Sequence, residues 1–155
     1  MDYTRVCFDS SVWNAIINRD QHHDLISIEG WMTKIDSKKA KLLVPSIVIA
    51  ELAAHPDQKR VLVFESYLLR SEVEQLDITT SIARMAGQLR RRMLNEGLSI
   101  KLPDALIVAA ADWHRADLIL SVDAGILRCD GQFELSPKIG NPSTGHNQPL
   151  LDNLD

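Results

Sequence analysis

The stretch Leu102-Pro103-Asp104-Ala105-Leu106-Ile107-Val108-Ala109-Ala110-Ala111 runs on through Asp112-Trp113-His114-Arg115-Ala116-Asp117 to Leu118-Ile119-Leu120-Ser121-Val122-Asp123. Pro103 stands where a helix can begin without missing its N–H, and the alanine-rich run behind it is a strong helix former. Leu118 to Val122 reads as a short buried strand. One acid therefore opens a helix and another closes a strand. Asp104 falls in the first helical turn, where the macrodipole favours negative charge, and Asp123 falls just past a strand's carboxyl end.

The same strand-then-acid pattern opens the chain. Arg5 to Phe8 is a short apolar run that ends at Asp9-Ser10-Ser11, and Val12-Trp13-Asn14-Ala15-Ile16-Ile17 follows as a helix. Asp9 is thus placed at a strand's carboxyl end, although an acid there can also serve simply as a helix cap. Lys41 to Val44 reads as a second strand, turned by Pro45-Ser46 into the helix Ile47 to Ala54, in which Glu51 interrupts seven apolar neighbours. Burying an unpaired charge costs several kcal/mol, so Glu51 must be exposed, paired or bound to a cation. No Lys or Arg lies at i±3 or i±4 to pair it.

Between these units, Asp24 to Ser37 forms a helix with Leu25, Ile28, Met32 and Ile35 on one face. Lys59 to Arg70 is a further helix, Glu72 to Leu76 an edge-like strand, and Thr79 to about Asn95 a long helix stopped by Gly97. Arg90, Arg91 and Arg92 fan around that helix, either as a solvated face or as a contact for phosphate. Phe133-Glu134-Leu135 reads as a last edge strand. The expected division is one folded domain over 1–137 and an irregular polar tail over 138–155. His22, His23 and His146 lack partners at ligand spacing and are set aside.

A length of 155 residues, 45% hydrophobic and 25% charged, suits one globular domain with a real core. Cys7 and Cys129 are too few for a disulfide framework, and Cys7 lies in an apolar run, so a reduced core thiol and a cytoplasmic location are expected. No apolar run reaches the roughly 18 residues of a membrane span. The net charge of -4 argues against coating nucleic acid by charge alone. It does not exclude a nuclease, because a carboxylate site lowers the formal charge and its cations, which that count omits, restore attraction for phosphate.

Alternating strands and helices imply an α/β domain with a mostly parallel central sheet flanked by helices. Ligands of such sheets bind outside the carboxyl ends of the strands, where strand order switches. Asp9, Glu51, Asp104 and Asp123 are expected to converge there. Their repulsion calls for hard cations, for which Mg²⁺ or Mn²⁺ suits oxygen ligands best.

Taken together, Phe8-Asp9-Ser10-Ser11, Ser46 to Leu52, Pro103 to Ala111 and Leu120-Ser121-Val122-Asp123 resemble the four blocks of PIN-domain ribonucleases, particularly the VapC-like toxins of bacterial toxin–antitoxin pairs. The resemblance spans Val6 to about Pro137. It implies a PIN-like, Rossmann-like three-layer fold and a Mg²⁺-dependent endoribonuclease, usually dimeric and inhibited by a small antitoxin. By the same resemblance Asp9, Glu51, Asp104 and Asp123 are the catalytic acids, and Ser10, Ser11 and Ser121 support them. Metal-assisted hydrolysis is then expected, with Asp9, Asp104 and Asp123 as ligands and Glu51 binding a second ion or orienting water. Ile26, Trp31 and Leu62 are candidate apolar residues for dimerisation. Two other readings remain: a non-catalytic scaffold binding RNA or protein, and a phosphohydrolase with an aspartyl nucleophile. The latter usually needs a second acid two residues after the first, where this chain has Ser11.

Overall fold

The computed structural model describes residues 3–19 and 25–143. Five parallel strands form one sheet in the order β3-β2-β1-β4-β5: β1 (Arg5–Phe8), β2 (Lys41–Pro45), β3 (Val73–Leu76), β4 (Leu118–Leu120) and β5 (Lys138–Gly140). From β1 the chain builds outward through β2 to β3, then returns to the other side of β1 for β4 and β5. The switch in strand order therefore lies between β1 and β4, whose register pairs Cys7 with Ile119 and Phe8 with Leu120. Both strands are buried on both faces, which explains why they read as unbroken apolar runs rather than alternating ones.

The helices are α1 (Ser10–Asn18), α2 (Leu25–Asp36), α3 (Ser46–Ala53), α4 (Gln58–Leu68), α5 (Thr80–Asn95), α6 (Leu102–Trp113) and α7 (Ala124–Leu127). Ile82, Ala86, Leu89 and Met93 form the buried stripe of α5, at the expected helical spacing. Between Ala105 and Ala111, α6 buries every side chain except Leu106. Its small residues let it sit deep between α5 and the sheet. Trp13 is fully buried and meets Phe8, Phe64 and Tyr67 edge-on, with centroids 5.9, 4.9 and 5.6 Å away, joining α1 and α4 over β1. Cys7 is buried in this core, and burial drives its thiol pKa up.

The outer strand differs from expectation. Phe133 and Glu134 are both left-handed, with φ of 57° and 58°, and so cannot run as a strand. The edge strand is instead Lys138–Gly140, where Ile139 is buried and its N–H donates to Asp130 Oδ1 at 2.9 Å. The sheet thus continues past Pro137. Residues 144–155, with His146, lie outside the described residues, as do His22, His23 and Asp24. Trp31 is also corrected: it is 1% exposed and packs near Tyr3, whereas Ile26 and Leu62 are 80% and 59% exposed. No helix among the described residues is long and apolar enough to cross a membrane.

Candidate active site

The site forms where β1 and β4 end side by side. Asp9 follows β1 directly, is 2% exposed, and caps α1 by accepting from Val12 N at 3.1 Å. Its other contacts are hydroxyls. Ser11 Oγ donates to Asp9 Oδ1 at 2.6 Å, and Ser121 Oγ donates to Asp9 Oδ2 at 2.7 Å. Each hydroxyl also accepts a backbone N–H from the loop after β4: Val122 N reaches Ser11 Oγ at 3.2 Å and Asp123 N reaches Ser121 Oγ at 2.9 Å. The Asp9 carboxylate is therefore gripped on both oxygens by groups that belong to the two adjoining strand ends.

Asp123 caps the short α7, accepting from Gly125 N at 2.8 Å and Ile126 N at 3.3 Å through one oxygen, Oδ1. This is an Asx turn, and among the described residues it leaves Oδ2 without a hydrogen bond. Gly125 matters to it, because a Cβ there would lie 3.0 Å from Asp123 Oδ1. Asp104 is the third residue of α6, half-buried, and accepts no hydrogen bond and forms no ion pair among the described residues. Glu51 lies in the second half of α3 and is exposed. Ser10 Oγ donates to Glu51 Oε1 at 2.6 Å, tying α3 to the beginning of α1.

Electrostatics show that the four acids share one neighbourhood. The Asp104 carboxyl is pushed up to about 6, first by burial and then by the negative charges of Asp123, Asp9 and Glu51; Lys101 opposes the shift. Burial also raises Asp9, which its bonds from Ser11, Ser121 and Val12 only partly offset, and Asp123 adds to the rise. Among the described residues no Lys or Arg forms an ion pair with any of the four.

This donor set is all oxygen, anionic and unpaired, so its chemistry fits a hard divalent cation. As the side chains stand, no three His, Cys, Asp or Glu among the described residues are drawn close enough to grip an ion. Binding one therefore requires the carboxylates to close in. Asp104 and Asp123 are the ones with oxygens to spare, while Asp9 is already held.

The domain's sequence model provides the deciding observation: residues 6–132 match the PIN domain. The chain belongs to the PIN domain family. Among solved structures, this PIN domain is similar to a chain of the DNA-bound VapBC2 complex from Rickettsia felis, with a TM-score of 0.68 and 19% identity over 89% of this chain and 98% of the other. A chain of DNA-bound VapBC from Salmonella typhimurium gives 0.64 and 19%, covering 90% and 98%. VapC20 of Mycobacterium tuberculosis, a Sarcin-Ricin loop cleaving toxin, gives 0.64 and 16%, covering 85% and 99%. At such identities the likeness is one of fold. No curated protein matches the chain in sequence.

Two residues that shape the PIN-domain site escaped the sequence reading. Gly125 carried a signal, since Asp followed two residues later by Gly is a common Asx-turn pattern. Lys101 carried none, because its charge matters only through the position of α6.

Proposed function

We propose that this PIN domain is a metal-dependent endoribonuclease, the toxin of a toxin–antitoxin pair, using Mg²⁺ or Mn²⁺. The observation that carries the reading is the gathering of Asp9, Glu51, Asp104 and Asp123 around a strand-order switch, with Asp104 raised to about 6 by burial and its acidic neighbours despite Lys101, and with no ion pair to any of the four among the described residues. Such a cluster is unfavourable in isolation and becomes favourable around a cation. Fold likeness to chains from VapBC complexes supports the toxin assignment.

In this reading Asp9, Asp104 and Asp123 would hold the ion. The ion would polarise the scissile phosphate and activate water for attack. Ser11 and Ser121 orient Asp9 and favour its ionised form through their hydrogen bonds. Glu51 is fixed by Ser10 through Oε1, and its other oxygen is available to orient the attacking water. Water attacks phosphorus, the bond from phosphorus to the 3′ oxygen breaks, and the products carry a 5′-phosphate and a 3′-hydroxyl. The aspartyl-nucleophile alternative is weakened by Ser11, whose hydroxyl sits on Asp9 Oδ1.

A cytoplasmic ribonuclease requires restraint, so a cognate antitoxin is the expected partner, with an Arg or Lys reaching the acidic crevice. Exposed Ile26 and Leu62 supply apolar surface for that antitoxin or for a homodimer. Incubation with a panel of tRNA and structured RNA, with Mg²⁺ and with EDTA, tests the reading. Cleavage only with metal, giving 5′-phosphate ends, supports it; undiminished cleavage in EDTA overturns the mechanism, and binding without cleavage favours a scaffold.

A further inference from the structure

The three consecutive arginines of α5 have separate fates. Arg92 donates to Phe133 O at 3.2 Å and stacks its guanidinium 5.9 Å from the Phe133 ring. Arg91 is exposed and has no partner among the described residues. Arg90 turns to the start of α6, where its Nε donates to Ile100 O at 3.2 Å. That single bond leaves both terminal nitrogens of the guanidinium unused among the described residues.

The next residue after Ile100 is Lys101, the N-cap of α6, exposed and free of hydrogen bonds and ion pairs among the described residues. Lys101 stands three positions before Asp104, a spacing that brings side chains to one face of a helix's first turn. Its charge is the one cation felt by Asp104 against the three acids. Arg90 and Lys101 thus bring two unpaired positive charges to the start of α6, the helix that carries Asp104, the first held by the carbonyl of Ile100 and the second on the N-cap residue itself.

We infer that Lys101 and Arg90 form an anchor for the phosphate backbone of the RNA strand, holding a nucleotide next to the scissile bond while Asp104 and its partners act on that bond. The inference rests on the ribonuclease reading above. A metal at the acids would attract the scissile phosphate itself, but the net charge of -4 gives no general attraction for the rest of the strand, so holding the neighbouring nucleotide calls for local cations beside the cluster. The two side chains would grip phosphate in different ways, the guanidinium as a planar fork and the ammonium as a point charge. Both are positioning residues.

The test compares Lys101→Gln, Arg90→Gln and the control Arg91→Gln in Mg²⁺-supported cleavage of one RNA at several salt concentrations. Lys101→Gln removes a side chain that makes no hydrogen bond or ion pair among the described residues, so its folding, checked by thermal melt, should match wild type. The anchor predicts KM raised about fivefold for Lys101→Gln and for Arg90→Gln, kcat within about twofold, and the slope of log(1/KM) against log salt reduced by about 0.7 for each lost contact. Arg91→Gln should change neither. If wild type cleaves normally while both KM and slope are unchanged in the variants, the anchor is wrong and the ribonuclease reading stands. If kcat falls with KM unchanged, Lys101 acts through Asp104 rather than on RNA, which also overturns the anchor, as would an Arg91→Gln effect of equal size. If wild type cleaves no RNA in Mg²⁺, the ribonuclease reading fails and takes the anchor with it.

Discussion

Ser121 Oγ donates to Asp9 Oδ2 at 2.7 Å across the seam between β1 and β4, 112 residues apart in sequence. The same hydroxyl oxygen accepts Asp123 N at 2.9 Å, so one side chain links two of the acids. Both Asp9 and Ser121 are buried, which makes the bond costly to lose.

Ser121→Ala should destabilise the metal-free protein at pH 7 by about 1 to 3 kcal/mol, the range for leaving a buried acceptor unsatisfied. Asp9 is already raised by burial, and Ser121 is one of the groups holding it down. Without that hydroxyl the carboxyl rises further. Its folded-state cost applies above the ordinary carboxyl range and disappears as both folded and unfolded chains become protonated. Denaturant titrations of both proteins at pH 7 and pH 4 should therefore show a gap that narrows at the lower pH; a constant gap would mean lost packing rather than lost charge stabilisation.

Gly125→Ala separates stability from function. Alanine gains up to about 1 kcal/mol of helix propensity, while displacing the Asp123 cap loses about the same. The added Cβ would stand 3.0 Å from Asp123 Oδ1, so the carboxylate has to move. The melting temperature should hardly change, yet cleavage should fall several-fold, because a shift of a few tenths of an ångström re-aims the Asp123 carboxylate. Full activity in a folded Gly125→Ala protein would show that the Asp123 geometry is dispensable.

Asp104 makes the metal-free protein sensitive to pH. Its carboxyl sits at about 6 when folded, against an ordinary value of 3.8. Between those values the folded chain keeps a proton that the unfolded chain has released, so this group's contribution to stability is complete below about 4 and is lost as pH rises through 6. Allowing for solvent access, the loss amounts to about 1 to 2 kcal/mol. Wild type in EDTA should lose that stability between pH 4 and pH 7, and Asp104→Asn should show a slope shallower by that amount, keeping the part that raised Asp9 contributes. Parallel pH profiles for the two proteins would contradict the electrostatic account of the cluster.

Residues that lie where an element begins or ends were the readable ones. Asp9, Asp104 and Asp123 each stand beside a local signal: an apolar run that stops just before Asp9 and again just before Asp123, and a proline that opens a helix at Asp104. Glu51 announced itself as a charge among apolar neighbours, but its bond to Ser10 depends on two helices meeting and has no local trace. The three residues of β5 are too short for any periodicity, and they pair only because β4 offers an edge. Trp31 has the same cause in reverse: a large apolar residue on a surface helix looks available for a partner until Tyr3 and the core close over it.

The most direct test of the metal-binding cluster is a set of paired thermal melts of wild type and Asp104→Asn at neutral pH, in EDTA and in saturating Mg²⁺. In EDTA the variant should be the more stable, because relief of repulsion, about 1 to 2 kcal/mol, exceeds the roughly 0.3 to 1 kcal/mol lost at the helix N-terminus. In Mg²⁺ the order should reverse, since wild type binds the ion more tightly and gains stability by mass action. If Mg²⁺ shifts both proteins equally, Asp104 is not a ligand and the account of this site is wrong.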